Sequence, residues 1–255
     1  MVPVRTTLLV LIVISTIAAA CDSGSSGASR AAPNSSPSAR RSPDSPAPDC
    51  PNQDEVVSTP EALRPGRMTG DVDGDGADDT LLLAVDPDSP QGCRAFIVVE
   101  TATGPLVEEI SDPDISFDLG LPTIDGVVPV DGRPGDEIVV RILTGASTLF
   151  VGLFTVLDGE LERVEVTGEE AQYGNLFPSG GSVGHMEGSD CAELGIVVSL
   201  ALPKGARYEV TRTHYTFSGT RLEPAATESA VVAAGRLDKY PEFGGPPFSF
   251  CTSAE

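Results

Sequence analysis

Residues 71–79 are rich in aspartate and glycine and read Asp-Val-Asp-Gly-Asp-Gly-Ala-Asp-Asp. Positions 1, 3, 5, 7 and 9 of this segment are Asp71, Asp73, Asp75, Ala77 and Asp79. Calcium binds six to eight oxygens at about 2.3–2.6 Å, and loops supply them as carboxylates and a backbone carbonyl, here that of Ala77. Carboxylates this close repel each other unless a cation neutralises them. This segment, the first acidic turn, therefore predicts a structural calcium (Ca2+) site.

The first acidic turn has two other interpretations. An EF-hand needs a glutamate at position 12 and flanking helices. Position 12 here is Leu82, within an apolar, strand-like run, so an EF-hand is not expected. An aspartate-rich turn that binds no metal stays open as the alternative.

The sequence predicts no catalytic residue. A Gly-x-Ser-x-Gly elbow, a phosphate loop and a dinucleotide fingerprint are all absent from it. His185 lies in a Gly-rich stretch near Glu187 and Asp190, and could act as a base, but a surface role is the simpler expectation. His214 alternates like a strand residue. With this many acidic residues, accidental carboxylate pairs carry no information about glycoside chemistry.

The chain begins with the features of an export signal. Arg5 is the single charge of a short leading segment, and residues 8–17 are mostly apolar. This segment is too short to cross a bilayer, which takes a helix of about 20 residues. Small residues before a cleavage point are typical of a signal peptide, and here three alanines precede Cys21.

The alanines and Cys21 resemble the lipobox of bacterial lipoproteins, although position −3 is Ala18, where leucine is commoner in that family. The resemblance implies removal of residues 1–20 and a lipid anchor, such as palmitate, on Cys21. The protein is then expected on the extracytoplasmic face of the cell membrane. An ordinary secretory signal with an incidental cysteine is the alternative.

A polar tether is predicted between the anchor and the folded domain. Residues 22–49 contain no aromatic residue and no Val, Ile, Leu or Met, so they cannot bury enough apolar surface to offset the entropy of ordering them. As a flexible coil the tether spans roughly 30 Å. The domain is predicted at residues 50–255.

The charge of the domain excludes one class of partner. The chain has 16 basic and 38 acidic residues, and all but four of the basic and three of the acidic residues lie in residues 50–255. A phosphate backbone is repelled by such a field, so nucleic acid is not an expected partner. The chain also lacks tryptophan and is only 5% aromatic, which gives bases or sugars little to stack on.

The cysteine count agrees with export. Four cysteines follow Cys21, namely Cys50, Cys93, Cys191 and Cys251. An even number in an oxidising compartment predicts two disulfides, and four cysteines allow three connectivities. Pairing between sequence neighbours, Cys50 with Cys93 and Cys191 with Cys251, is favoured. A zinc site is not expected, because the chain has no CxxC and only two histidines.

Short strand-like runs fill the domain and recur in three groups. The runs are residues 80–85, 94–101 and 106–110; 137–143, 148–157 and 161–166; and 195–200, 208–217 and 221–222 with its continuation. Hairpin signals, which include Asp158-Gly159 and Ser218-Gly219, fall at the same place in each group. Acidic turns precede the groups, since Asp71 is followed by Asp131 and then by Asp190. Residues 131–137 are the second acidic turn and residues 189–195 the third.

A period near 60 residues predicts stacked β-units. The fold class is therefore expected to be all-β, with about three antiparallel units at residues 50–118, 119–180 and 181–255. A Gly-Asp-Val-Asp-Gly-Asp-Gly turn that feeds a strand resembles the FG-GAP/VCBS-type repeats of integrin-like β-propellers, closely only at residues 70–85. The resemblance implies blades with a calcium loop between their first strands. Three units imply a partial propeller, or an open stack whose edges are covered by tails.

The whole chain also resembles small exported lipoproteins of actinobacteria that carry such a repeat. The prediction is a membrane-anchored lipoprotein whose β-repeat domain is a non-catalytic, calcium-stabilised binding or scaffold module. Its expected partners are the membrane, through Cys21, and an envelope or extracellular protein or glycan. The alternative is an exported hydrolase or accessory subunit with an unrecognised site.

Overall fold

Strands dominate the part of the chain that the structure describes. The computed structural model describes residues 51–58, 67–85, 89, 94–110, 121–168, 173–182, 184–192 and 195–251, which all belong to the unit Ala47–Glu255. The signal, Cys21, the tether, Cys50 and Cys93 lie outside the described residues. The elements are α1 (Gln53–Ser58), β1 (Met68–Gly70), β2 (Asp79–Val85), β3 (Ala95–Thr101), β4 (Gly104–Glu109), β5 (Thr123–Val128), β6 (Glu137–Thr144), β7 (Thr148–Leu157), β8 (Glu160–Arg163), β9 (Glu165–Val166), β10 (Phe177–Ser182), β11 (His185–Ala192), β12 (Gly195–Lys204), β13 (Arg207–Ser218) and β14 (Arg221–Ala233), followed by the 3-10 helices Ala234–Lys239 and Pro241–Phe243.

The first sheet is antiparallel, in the order β1-β2-β3-β4. Successive side chains of a strand point to opposite faces, and both faces of this sheet are covered. Leu81 and Ile97 face a core that also receives β6. Ala84 and Phe96 face the opposite way, against Val56 of α1. Burial on both faces explains why β2 and β3 read as continuous apolar runs.

Helix α1 is short and is fixed at its first turn. The Asn52 side chain accepts a hydrogen bond from the Glu55 amide (3.0 Å), and the Glu55 carboxylate accepts one from the Asn52 amide (2.9 Å). This reciprocal capping box satisfies two amides that the helix leaves without partners. It holds Val56, which is buried, over the first sheet.

The second sheet has the order β5-β6-β7-β10-β11-β12-β13-β14-β9, and β8 pairs with β7 beside it. All of its pairs are antiparallel except β14 with β9. The prediction of an all-β fold with antiparallel sheets is confirmed. The described strands close into neither a barrel nor a propeller.

Strand β6 contributes to two cores because its alternate side chains face opposite ways. Ile138 and Val140 join the core shared with the first sheet. Val139 joins a second core with Leu153 of β7 and Ile196 of β12. The strand therefore lies between two hydrophobic cores. Which of its side chains point to each face determines which strands can pack there.

The C-terminal segment is fastened across the second sheet. Its Phe248 amide donates to the Ser189 carbonyl (3.0 Å), and its ring packs edge-on against Phe177, with centroids 5.4 Å apart. Cys191 and Cys251 form a disulfide with an S–S distance of 1.98 Å, which confirms the predicted pairing. Closing a loop of 60 residues stabilises the fold by roughly 4 kcal/mol in the chain-entropy model.

Most predicted strands are present with bounds within a few residues. Strand β7 is found where the sequence placed it, and the Asp158-Gly159 hairpin is confirmed, with φ of 54° and 81°. The third hairpin turns at residues 219–220, one residue later than Ser218-Gly219, because Ser218 still pairs with Arg221.

Four strands, β1, β5, β10 and β11, were not predicted. The Gly-rich stretch before His185 was expected to be a loop, and that expectation is wrong. A Cβ added to Gly181 would lie 2.3 Å from the His185 carbonyl oxygen. Glycine is needed there because two strand backbones, β10 and β11, approach closely.

Gly188 of β11 provides a test of how the C-terminal segment packs. A Cβ at this position would lie 2.0 Å from the Glu242 carbonyl oxygen. Gly188→Ala is therefore expected to displace the second 3-10 helix and to lower the melting temperature by roughly 3–10 °C, measured by circular dichroism. Gly235→Ala is the matched control, because a Cβ there meets nothing within 4 Å. Equal melting of both variants would contradict this packing.

Candidate metal centre

The first acidic turn connects β1 to β2 and is built by its own aspartates. Asp71 accepts hydrogen bonds from the Gly74 amide (2.9 Å) and the Gly76 amide (3.0 Å), one on each carboxylate oxygen. Gly74 and Gly76 have φ of 76° and 86°, a left-handed conformation in which glycine carries no Cβ penalty. The side chain of Asp71 therefore holds the chain in a tight coil around itself.

Asp79, the first residue of β2, closes the turn from the other side. Its Oδ2 accepts from the amides of Val72 (3.1 Å) and Asp73 (3.3 Å). Asp73 in turn accepts from the Asp75 amide (3.1 Å), and Asp75 accepts from the Ala77 amide (2.7 Å). Each carboxylate thus points into the turn, where it satisfies backbone donors.

Three of the predicted ligands converge. One carboxylate oxygen from each of Asp71, Asp73 and Asp79 lies within 4.8 Å of the other two. Two oxygens that bind one calcium ion at about 2.5 Å are at most about 5 Å apart, so the donor set fits this ion. The Asp75 carboxylate is not part of this group. Ala77 contributes its amide to the turn, which donates a hydrogen bond to the Asp75 carboxylate.

The electrostatics of the group favour a cation. Burial raises the pKa of Asp79, and the neighbouring Asp73 and Asp75 carboxylates raise it further, against the amides that lower it. Asp79 is only 4% exposed. A buried carboxylate with like charges around it needs a positive partner or a proton.

The second acidic turn, between β5 and β6, repeats this architecture around Glu137. The Glu137 Oε2 accepts from the amides of Val130 (2.7 Å) and Asp131 (3.3 Å). Asp131 Oδ1 accepts from the Arg133 amide (2.7 Å). Glu137 therefore stands where Asp79 stands in the first turn, and the register is offset by two residues from the predicted equivalence of Asp71 with Asp131.

The carboxyl groups of the second acidic turn are deeply buried. Glu137 is 1% exposed, and its Oε1 accepts from the Thr155 hydroxyl (3.3 Å). Burial, and next the charge of Asp131, raise the pKa of Glu137 to about 8. A protonated Glu137 can share its proton with the Asp131 carboxylate beside it.

The two acidic turns contact each other. The Asp136 amide donates to the Asp71 carbonyl (2.8 Å). A Cβ at Gly74 would lie 2.8 Å from the Pro134 carbonyl, and one at Gly135 would lie 2.7 Å from the Val72 carbonyl. The turns can touch backbone to backbone only because glycine occupies both positions, and this contact joins the first sheet to the second.

The third acidic turn has a different structure. Asp190 lies within β11, is 2% exposed, and accepts from the amides of Cys191 (2.8 Å) and Phe250 (3.2 Å). Burial, opposed by these two amides, raises its pKa. This carboxylate therefore fastens the C-terminal segment next to the disulfide, and the paired thiols are no longer metal ligands.

The His185 stretch forms a polar cluster that sequence analysis only partly anticipated. Glu187 is buried and accepts from the Tyr173 hydroxyl, while His185 Nε2 lies 3.7 Å from Glu187 and 3.3 Å from the Thr148 hydroxyl. Burial and the bond to Glu187 raise the pKa of Tyr173 to about 12. The Glu187 carboxylate and the Thr148 hydroxyl both face Nε2 of His185. In a relay of the serine-protease type, the acid and the hydroxyl contact different ring nitrogens.

A cleft of about 340 Å3 lies between β13, β14 and the first 3-10 helix. The Arg212 guanidinium lines it, but is already bound by Glu228 (2.7 Å) and Glu242 (2.8 Å). The His214 side chain is 32% exposed and lies 3.4 Å from Glu228 on the neighbouring strand. Within the described ranges, no helix is both long and apolar enough to cross a membrane.

Glu137 makes stability depend on pH. Its pKa is about 8 in the folded protein against an ordinary 4.5, so the stability that it contributes is present at low pH and lost as the pH rises between about 5 and 8. The wild-type melting temperature is expected to fall across this window. Glu137→Gln keeps the shape without the charge and is expected to flatten the fall, whereas exposed Glu223→Gln is expected to leave it unchanged. Parallel pH profiles of wild type and Glu137→Gln would refute the assignment.

Relatives of this chain were sought with protein-family models, among curated proteins and among solved structures. None of these three comparisons found a match. What can be inferred about function therefore comes from the residues themselves, and the two acidic turns, where buried carboxylates meet at the junction of the sheets, are the site with the clearest chemistry.

Proposed function

We propose that this protein is an extracytoplasmic lipoprotein whose β domain is a non-catalytic binding or scaffold module, with calcium at the first acidic turn. The observation that carries the proposal is the convergence of Asp71, Asp73 and Asp79 where the first sheet meets the second. An ion bound by these three carboxylates cross-links β1 to β2 and stiffens the surface on which the second turn rests. Its role is structural, since binding to the folded state alone stabilises that state.

The strand pairing supports a three-unit repeat of the FG-GAP/VCBS type. The four-stranded antiparallel groups β1–β4, β5–β8 and β11–β14 each follow or contain an acidic turn. The first and second groups share one core, and the second and third share another. We infer an open arrangement of partial-propeller type, in which β10 joins the second and third groups in one sheet, α1 covers the outer face of the first unit and the C-terminal segment covers the third.

The anchor proposal rests on the sequence around Cys21. Lipid on this residue attaches the protein to the outer side of the cell membrane, and the tether lets the domain move away from the bilayer. An acidic surface is repelled by anionic lipid headgroups, so a covalent anchor supplies an attachment that the domain surface does not. The proposed partner is an envelope or extracellular protein or glycan, and nucleic acid is not proposed.

The hydrolase alternative is favoured by one observation, the cluster of Tyr173, His185 and Glu187. A hydrolase requires the cluster to act on a substrate, while a scaffold requires it only to hold β11. Screening the full chain and a His185→Ala variant against ester and glycoside substrates separates the two. Turnover that His185→Ala abolishes would replace the scaffold proposal.

Calcium is expected to stabilise the full-length protein. At a free concentration a hundredfold above the dissociation constant, the gain is about 2.7 kcal/mol, which raises the melting temperature of a domain this size by roughly 5–10 °C. Asp73→Ala removes one of the three converging carboxylates and is expected to abolish this shift. Asp78→Ala, which removes an exposed carboxylate of the same turn outside the group, is the matched control and is expected to keep it. An equal calcium shift in wild type and Asp73→Ala excludes the site.

Cys21 is expected to determine membrane attachment. The wild-type protein should fractionate with membranes, stay there in high salt and be released by detergent, because the attachment is through acyl chains. Cys21→Ala removes the acceptor and is expected to leave an uncleaved or soluble form, detected by fractionation and by the mass of the N-terminal peptide. Ala19→Ser, which preserves the cysteine, is the control. Membrane attachment that survives Cys21→Ala would contradict the anchor.

A further inference from the structure

The two acidic turns share one hydrogen-bonding pattern at a constant offset of 58 residues, although Pro129 stands in the second turn where Asp71 stands in the first. In the first, Asp79 binds the amides of Val72 and Asp73, and it pairs across the strands with Gly70. In the second, Glu137 binds the amides of Val130 and Asp131, and it pairs with Val128. Gly74 and Gly132 correspond too, with φ of 76° and 72°. The turns can therefore be compared position by position.

One position differs in the sign of its charge. Asp75 follows Asp73 by two residues and donates its amide to the Asp73 carboxylate. The matching residue in the second turn is Arg133, whose amide donates to the Asp131 carboxylate in the same way. The side chain that adds a negative charge in the first turn is thus a guanidinium in the second.

The Arg133 side chain folds back onto the carboxylate that needs a partner. Its Nε and Nη2 both lie against Oδ2 of Asp131. The Asp131 side chain is 1% exposed, whereas that of Arg133 is 34% exposed. The guanidinium therefore covers a buried carboxylate from the solvent side and compensates its charge.

We propose that Arg133 is a permanent replacement for the metal ion in the second acidic turn, so that the two turns together bind one calcium ion, at the first. This inference rests on the proposed calcium site of the first turn for its stoichiometry. The role of Arg133 itself is independent of calcium. The second turn keeps its shape without an ion, because a side chain of the same chain supplies the charge.

The role of Arg133 is tested on the full-length protein without calcium, in EDTA. Arg133→Met keeps the length and removes the charge, and is expected to lower the melting temperature by roughly 5 °C or more, because it leaves a buried carboxylate uncompensated. Arg133→Lys keeps the charge and is expected to recover at least half of this loss. Arg133→Met that melts like wild type in EDTA overturns the proposal, whether or not wild type responds to calcium.

The converse exchange tests whether a guanidinium can replace the ion. Asp75→Arg gives the first turn the residue of the second, and Asp75→Ala removes the same carboxylate without adding a cation. In EDTA, Asp75→Arg is expected to melt roughly 5 °C above Asp75→Ala, and calcium is expected to add nothing to it. Equal melting of the two variants in EDTA, or two calcium ions bound by wild type in titration calorimetry, overturns the proposal. A wild type that binds no calcium would instead disprove the proposed site of the first turn.

Discussion

A buried carboxylate at the start of a strand is the constraint on which the rest of this structure depends. Asp79 and Glu137 each accept two backbone amides from the strand-to-strand turn before them. Without these acceptors the amides would be buried and unpaired, at a cost of about 1–3 kcal/mol each. The carboxylate that satisfies them is itself costly to bury as an anion. Each turn therefore needs a positive charge or a proton close to its buried carboxylate.

The contact between the turns transmits this constraint to the whole domain. Gly74 and Gly135 let the two backbones touch, and the hydrogen bond from Asp136 to Asp71 fixes the position of one sheet against the other. Close packing then follows on both sides of β6, whose side chains alternate between two cores. A turn that lost its shape would therefore disturb both the local hairpin and the contact between the sheets.

The sequence allowed the strands with a strong pattern to be predicted, together with the pairing of Cys191 with Cys251. Strand β1 was missed because it has only three residues, and β5 because Asp125 and Gly126 interrupt its apolar pattern. Strand β10 was missed because its glycines were taken as loop residues, whereas they allow close strand contacts. The first and second acidic turns correspond, but in a register two residues away from the predicted one, since Asp71 was matched to Asp131 by residue type. In the structure, the equivalent residues are those whose carboxylates accept hydrogen bonds from equivalent backbone amides. Residue type alone does not show which amides these are.

The three acidic turns are stabilised by three different means. The first presents three carboxylates suited to an ion, the second carries Arg133 on Asp131, and the third uses the disulfide beside Asp190. An arginine and a disulfide are parts of the chain and do not depend on calcium in the medium. Of the three, only the proposed calcium site of the first turn would respond to calcium, and extracellular modules bind this ion with dissociation constants of about 10⁻⁴–10⁻³ M. A site of that affinity exchanges its ion with the medium, so the stability of the proposed first-turn site would follow the calcium concentration, whereas Arg133 and the disulfide act on the other two turns at any concentration.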